Sequence, residues 1–243
     1  ARPLAEGLRN PAVCQEHAIR ALVPVRLLTA REAMARALLR TRQHQIATCW
    51  SDAGPLPMPE WLSCADASFA GGTILRAAYA IEMDVPVQAA WSVLSRLGGD
   101  FGWLFGDTLW ALRGEVDRLL GGVGLRRGRR HPTEIRVGDA LDFWRVLEVE
   151  EGTRLVLGAE MKLPGEAVLD IREHPAGPGS RVELRARYWP KGLWGLMYWQ
   201  ALVPVHRWLF HGFLRGLAHR AGGRQVRGPY AIARSAEDAC PIS

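Results

Sequence analysis

The chain has 243 residues, 48% of them hydrophobic and 23% charged, enough to bury a full core and suited to one domain with an appendage rather than two equal domains. Its formal net charge of +6, from 31 Lys and Arg against 25 Asp and Glu, is too mild an excess to mark a nucleic-acid partner. The cysteines, Cys14, Cys49, Cys64 and Cys240, lie far apart without a C-x-x-C pair or a zinc-like Cys/His spacing, and are read as reduced thiols of a cytoplasmic protein.

Residues 1–24 read as irregular, and no basic start, apolar run and small-residue cleavage site occur together there, so secretion is not expected. The start at Ala1 rather than Met suggests a fragment of something longer. Residues 27–42 read as a helix, with Thr29 as N-cap and Glu32 three residues on, as in a capping box. A short strand is expected at 45–50, then a linker at 51–64, where Gly54, Pro55, Pro57 and Pro59 exclude a helix interior or a central strand.

Alternation at 73–84 predicts a strand, and Pro86 opens a helix over 87–97. A glycine hinge at 98–102 leads to a second helix, 108–120, stopped by Gly121 and Gly122, and then to a basic loop, 125–132. Four further strands are expected at 139–149, 154–161, 166–173 and 181–189, joined by turns that imply an antiparallel sheet. In the last strand Val182, Leu184, Ala186 and Tyr188 alternate with Arg181, Glu183, Arg185 and Arg187, giving one apolar and one wet face. A long helix, 191–221, carries Trp194, Tyr198, Trp199, Trp208, Phe210 and Phe213, more aromatic area than a surface helix needs. It is expected to lie on the apolar sheet face, with Pro204 kinking it. Its apolar run, 192–205, is shorter than the roughly 20 residues that span a bilayer. Residues 222–243 read as an irregular tail.

The fold class is therefore α+β, an antiparallel sheet wrapped around a long C-terminal helix, with a concave space suited to a lipophilic small molecule. Trp103 and Phe105 in the glycine-hinged loop fit a lid at the mouth or a turn capping the core, and Asp107 fits either that entrance or a helix N-cap. Asp142, Glu160 and Glu166 would supply a carboxylate pair beside the Trp144 indole for proton transfer if they faced the cavity, but the alternation of Leu155, Leu157, Ala159 and Met161 sends Glu160 and Lys162 to the wet face. Tyr198, Gln200 and His206 are the polar groups the long helix offers a ligand. Arg126, Arg127, Arg129 and Arg130 form a candidate phosphate contact or a solvated basic loop. His206 and His211 lie about 140° apart around a helix, so no shared metal is expected.

The motifs Gly98-Gly99-Asp100-x-Gly102-Trp103, Gly121-Gly122-Val123-Gly124-Leu125-Arg126-Arg127-Gly128-Arg129, Gly138-Asp139-Ala140-x-Asp142-Phe143-Trp144-Arg145-Val146 and Met161-Lys162-Leu163-Pro164-Gly165-Glu166-Ala167 resemble an uncharacterised domain usually fused behind atypical, NmrA-like short-chain dehydrogenases. The resemblance covers residues 65–221 and implies the START-like (SRPBCC) helix-grip superfamily, which usually has about seven strands. Two short strands would then have to lie in 101–106 and 130–137, or the sheet is reduced. Residues 1–50 resemble the end of the dehydrogenase part, a small helical remnant. The resemblance implies an accessory or substrate domain of an NAD(P)-dependent oxidoreductase, with an NAD(P)-binding domain as partner in cis or in trans. No G-x-G-x-x-G fingerprint is present in these 243 residues, so this chain is expected to bind no cofactor itself. The rival readings are a cyclase- or hydratase-like acid/base enzyme, and an interaction module that docks on a partner domain or a membrane surface.

Overall fold

The computed structural model describes residues 28–42, 59, 61, 74–125 and 129–233. The chain forms two compact units, Ala1–Gln45 and Ile46–Ser243. In the first, α1 spans Ala30–Arg42. The Thr29 amide donates to Glu32 Oε2 at 2.8 Å and the Glu32 amide donates to Thr29 Oγ1 at 3.2 Å, so the expected capping box satisfies two otherwise orphaned N–H groups. The strand expected at 45–50 and most of the linker at 51–64 lie outside the described residues.

The second unit runs β1 (Leu75–Met83), α2 (Val87–Leu94), a 3₁₀ turn (Gly99–Phe101), α3 (Asp107–Leu119), β2 (Ala140–Leu141), β3 (Trp144–Glu150), β4 (Arg154–Ala159), β5 (Gly165–Ala176), β6 (Gly179–Pro190), α4 (Gly192–Arg220) and β7 (Gln225–Ala231). The seven strands form one antiparallel sheet in the order β2-β3-β4-β5-β6-β1-β7. Its inner face carries Ile81, Leu155, Leu157, Ile171, Val182 and Leu184, each at most 1% exposed. The C-terminal half of α4 packs on β6 and β1 through Phe210, Phe213, Leu214 and Leu217. Burying each such side chain contributes roughly 1.5–3 kcal/mol. Helix α4 continues through Pro204. Its N-terminal half keeps Leu193, Trp194 and Met197 exposed.

The structure corrects three expectations. The two additional strands do not lie in 101–106 or 130–137. One is β2, cut from the expected 139–149 strand by a turn in which Asp142 takes φ +55°. The other is β7, inside the stretch read as an irregular tail. Gly228 and Pro229 argue against a strand there, but β7 is an edge strand pairing only with β1, with register shifts, where a missing N–H is tolerated.

The third correction concerns the charged sheet face, which is not wet. Asp170 is 1% exposed and sits among Arg154 at 3.2 Å, Arg172 at 3.2 Å and Arg187 at 3.3 Å. Arg145, 2% exposed, pairs with Glu160 at 3.0 Å, and Arg185 pairs with Glu183 at 2.5 Å. Trp61 lies on this face, packed on Leu147, Val156 and Val168, and donates its indole N–H to Glu166 at 2.9 Å. The strand period assigned the residues to the correct face; among the described residues Trp61, remote in sequence, covers part of it.

Candidate functional site

Between the inner sheet face and the helices lies a cavity of about 330 Å³. Ala167 and Leu169 of β5 and Leu184, Ala186 and Tyr188 of β6 form its floor. Trp144 of β3 and Trp103 of the 98–107 loop close one end, and α4 supplies Tyr198, Leu202, His206 and Phe210. Leu112 and Val116 on α3 and Val205 on α4 also line it while remaining exposed, which places the mouth between the two helices.

Stacked rings stiffen the walls. Trp103 lies nearly parallel to Phe143 at 6.3 Å, and Trp144 is 6.2 Å from Trp103. Tyr188 stacks on Trp199 at 5.4 Å, and His206 stacks on Phe210 at 5.5 Å. Few polar atoms interrupt this surface. The Tyr188 hydroxyl donates to the Pro164 carbonyl at 2.8 Å, and burial with the neighbouring Tyr198 pushes its pKa up to about 12, so it stays protonated. Arg113, at the rim, donates to the Lys162 carbonyl at 2.7 Å and faces Asp117 at 3.6 Å. Among the described residues, the buried indole nitrogen of Trp144, Nδ1 of His206 and Nη1 of Arg113 have no hydrogen-bond partner. Burial holds the His206 pKa below its ordinary value, so the ring is neutral at neutral pH.

Of the expected ligand residues, the structure brings Trp103, Trp144, Tyr198 and His206 together around the cavity. Asp142, Asp107, Phe105 and Gln200 are not in its wall. Asp142, 5% exposed, accepts from Trp103 Nε1 at 2.8 Å and from the Gly99 amide at 3.2 Å. Burial raises its pKa, partly offset by these two donors. Asp107 accepts from the Trp103 amide at 2.9 Å. Both carboxylates thus pin the loop. Phe105 crosses α4 to pack on Gly212, where a Cβ would come within 2.1 Å of its ring, and meets Trp208 edge-on at 4.6 Å. The loop is an anchored cap on the core rather than a free flap. Gln200 faces solvent.

Arg126 and Arg127 lie outside the described residues. Arg129 and Arg130, expected to be available for phosphate, serve the fold. Arg129 donates to the carbonyls of Leu97 at 2.6 Å and Ser95 at 2.7 Å, completing the C-terminal end of α2, and burial lowers its pKa to about 10. Arg130 grips Asp139 through two bonds of 2.8 and 3.1 Å.

Sequence reasoning passed over Trp110, Leu202 and Leu209 in the wall, although the spacing of Tyr198, Leu202, Val205, Leu209 and Phe213 on one face of α4 is a helical signal. It also passed over Asp117. This fully buried residue on α3 accepts from the Lys162 amide at 2.6 Å and the Gly124 amide at 2.8 Å, fixing one side of the mouth. Among the described residues, no group of three or more His, Cys, Asp or Glu could hold a metal ion. No helix among them is long and apolar enough to cross a membrane.

Among solved structures, the chain is similar to norcoclaurine synthase from Thalictrum flavum, at 11% identity over 72% of this chain and 95% of that one, with a TM-score of 0.40. An HSP90 activator from Plasmodium falciparum is similar at 12% identity over 63% and 99% of the two chains, TM-score 0.36. A protein from Nitrosomonas europaea is similar at 16% identity over 61% and 94%, TM-score 0.35. No curated protein matches the sequence. Residues 69–213, more than half of the chain, match the family described as "Protein of unknown function (DUF2867)", and the chain belongs to that family.

Proposed function

We propose that this protein binds a hydrophobic small molecule in the cavity between its sheet and α4. The observation that carries the reading is the cavity itself, about 330 Å³ of space walled almost wholly by aromatic and aliphatic side chains and opening between α3 and α4. That volume is within the range of ligand pockets and about twice the ~150 Å³ of a cavity that accepts benzene, so it suits a molecule of about two rings. The acid/base reading is weaker, because no carboxylate lines the cavity among the described residues.

In its fuller form the reading makes the domain an accessory or substrate domain of an NAD(P)-dependent oxidoreductase. Its support is the resemblance of the four glycine-containing motifs, and co-purification of an NAD(P)-binding protein with the tagged chain from its own cells tests it.

The test of the cavity is titration with Nile red, an uncharged apolar dye, of the wild-type protein and of Ala167→Phe and Ala186→Leu, which grow side chains into the empty space. Dye binding to the wild type and its loss in variants that melt at an unchanged or higher temperature is the expected result. Equal binding by all three would show that the dye sits elsewhere and remove the reading's basis.

A specific observation favours a second reading. The N-terminal half of α4 exposes Leu193 (70%), Trp194 (76%) and Met197 (53%), and this 29-residue helix contains no acidic residue. Aromatic and aliphatic exposure at one end of α4, with Arg207 and Arg215 exposed farther along the same helix, suits an anionic membrane surface. Sedimentation with vesicles of phosphatidylcholine and phosphatidylserine, abolished by Trp194→Ser, is the outcome this reading requires.

A further inference from the structure

Helix α4 borders a second concave surface. A groove of about 880 Å³ runs along it, lined by Arg207, Trp208, His211, Arg215 and His219 of the helix and by Phe105 of the 98–107 loop. It shares no lining residue with the cavity. Gly212 and Gly216 let the loop lie close on the helix, since a Cβ would come within 2.1 Å of the Phe105 ring at the first and 2.6 Å of the Leu104 carbonyl oxygen at the second. The loop therefore forms one wall, where Phe105 meets the exposed Trp208 edge-on at 4.6 Å.

The charge of the groove is all of one sign. Arg207, His211, Arg215 and His219 follow at intervals of four, so each is the surface neighbour of the next. Neither the lining of the groove nor the whole of α4 contains an Asp or Glu. Among the described residues, Arg207 and Arg215 make no ion pair or hydrogen bond, whereas the exposed Arg136 and Arg224 each face a carboxylate, Glu134 at 3.1 Å and Asp84 at 3.2 Å. The two arginines flank His211 closely enough to act on it: burial first, then the charges of Arg215 and Arg207, hold its pKa below the ordinary value. Its ring lies edge-on to Tyr79 at 4.9 Å. At neutral pH the groove thus carries two permanent positive charges, on residues two turns or about 12 Å apart along the axis, with an uncharged imidazole between them.

The class of ligand follows from matching that charge. A monoanion, such as a carboxylate or a sulfate ester, leaves one guanidinium unmatched. The dianion of a phosphate monoester matches both and offers three strong acceptor oxygens to the guanidinium forks. Trp208 and Phe105 give ring surface at the same place for the organic part of such a molecule. The volume of the groove lies within the range of small-molecule sites.

We propose that this groove is a second binding site, for a phosphate monoester, with the phosphate between Arg207 and Arg215 and the organic part against Trp208 and Phe105. The site does not depend on the cavity reading. It uses two arginines that the membrane reading also uses, and Trp194, which lies outside the groove, tells the two apart.

The test is calorimetric titration of the full chain, at about pH 7.5 and low ionic strength, with phenyl phosphate, a dianion there, and with phenyl sulfate, a monoanion of nearly the same shape. Phenyl phosphate is expected to bind about tenfold tighter than phenyl sulfate, and Arg207→Gln and Arg215→Gln each to lower its affinity about tenfold and to shrink the preference. Both arginines are exposed and make no contact that holds the fold, so these variants are expected to melt with the wild type. Binding of phenyl phosphate by Trp194→Ser as by the wild type separates this site from the membrane reading, and its persistence in excess Nile red separates it from the cavity. Vesicles of phosphatidylcholine and phosphatidic acid form the second arm; sedimentation that both arginine variants abolish, without uptake of phenyl phosphate, assigns the same phosphate to a lipid headgroup. Equal affinities for the two esters, binding that survives both arginine variants, or no binding in either arm overturns the proposal.

Discussion

Glu173 is a heavily buried carboxyl on the inner sheet face. It is 2% exposed, opposite Val182 and in the same row as Ile171, and neither of its oxygens has a hydrogen-bond partner among the described residues. Burial alone pushes its pKa from 4.5 up to about 8. Between those values the native state holds a proton that the unfolded chain has released. Stability therefore falls as pH rises through this window, by up to about 1.4 kcal/mol per pH unit and on the order of 5 kcal/mol in all. Below about pH 4.5 both states are protonated and the cost is absent. Glu173→Gln removes the ionisation while keeping the shape. Urea denaturation of both proteins at pH 5, 7 and 9 isolates the effect, because His206 and His211, whose pKa values are lowered by burial and which push stability in the opposite direction through pH 6.5, are common to both. The two proteins match within about 1 kcal/mol at pH 5, and the Gln variant is more stable by several kcal/mol at pH 9. A difference that does not change between pH 5 and pH 9 refutes the argument that Glu173 is desolvated and unpaired.

Three other perturbations probe the elements that shape the cavity. Asp170→Asn leaves the guanidinium groups of Arg154, Arg172 and Arg187 without their shared carboxylate and is expected to cost about 3–5 kcal/mol by chemical denaturation, a loss well above that of an exposed ion pair. Gly212→Ala drives a Cβ into the Phe105 ring and should lower stability by about 1–3 kcal/mol, with Phe105→Ala in the same chain relieving the clash so that the double variant costs less than the two single changes added. Trp103→Phe removes the indole donor from Asp142 and leaves that buried carboxylate with the Gly99 amide, at an expected cost of about 1–3 kcal/mol measured by thermal and urea unfolding.

Much of the architecture was readable in the residues, and the reasons are local. The alternation in 181–189 fixes both the strand and its two faces, and β6 extends it by only one or two residues at each end. The capping box at Thr29 and Glu32 forms as its spacing requires. The aromatic run after Lys191 becomes a helix whose Trp199 and Phe210 meet Tyr188 and Tyr79 of the sheet, while Trp194 and Trp208 stay exposed. What was not readable depends on residues brought together from far apart. Arg129 in a basic loop looks like a solvated charge until the fold sets it beside the carbonyls of Ser95 and Leu97. Phe105 follows Trp103 by two residues, yet Leu104 takes φ +65° and the chain turns, so one ring enters the cavity wall and the other crosses to the opposite side of α4. The short Gly-Pro-containing β7 is stabilised by pairing with β1 across more than 140 residues, with Tyr230 donating to Glu82 at 2.7 Å.

The central claim, that the cavity is built for a lipophilic small molecule, is tested most directly by native mass spectrometry of the protein purified from its own cells, followed by denaturation and identification of what is released. The account predicts a stoichiometric adduct, a lipophilic compound of about two rings, which is lost from Ala167→Phe. A protein that emerges at its bare mass and also fails to take up Nile red would contradict it.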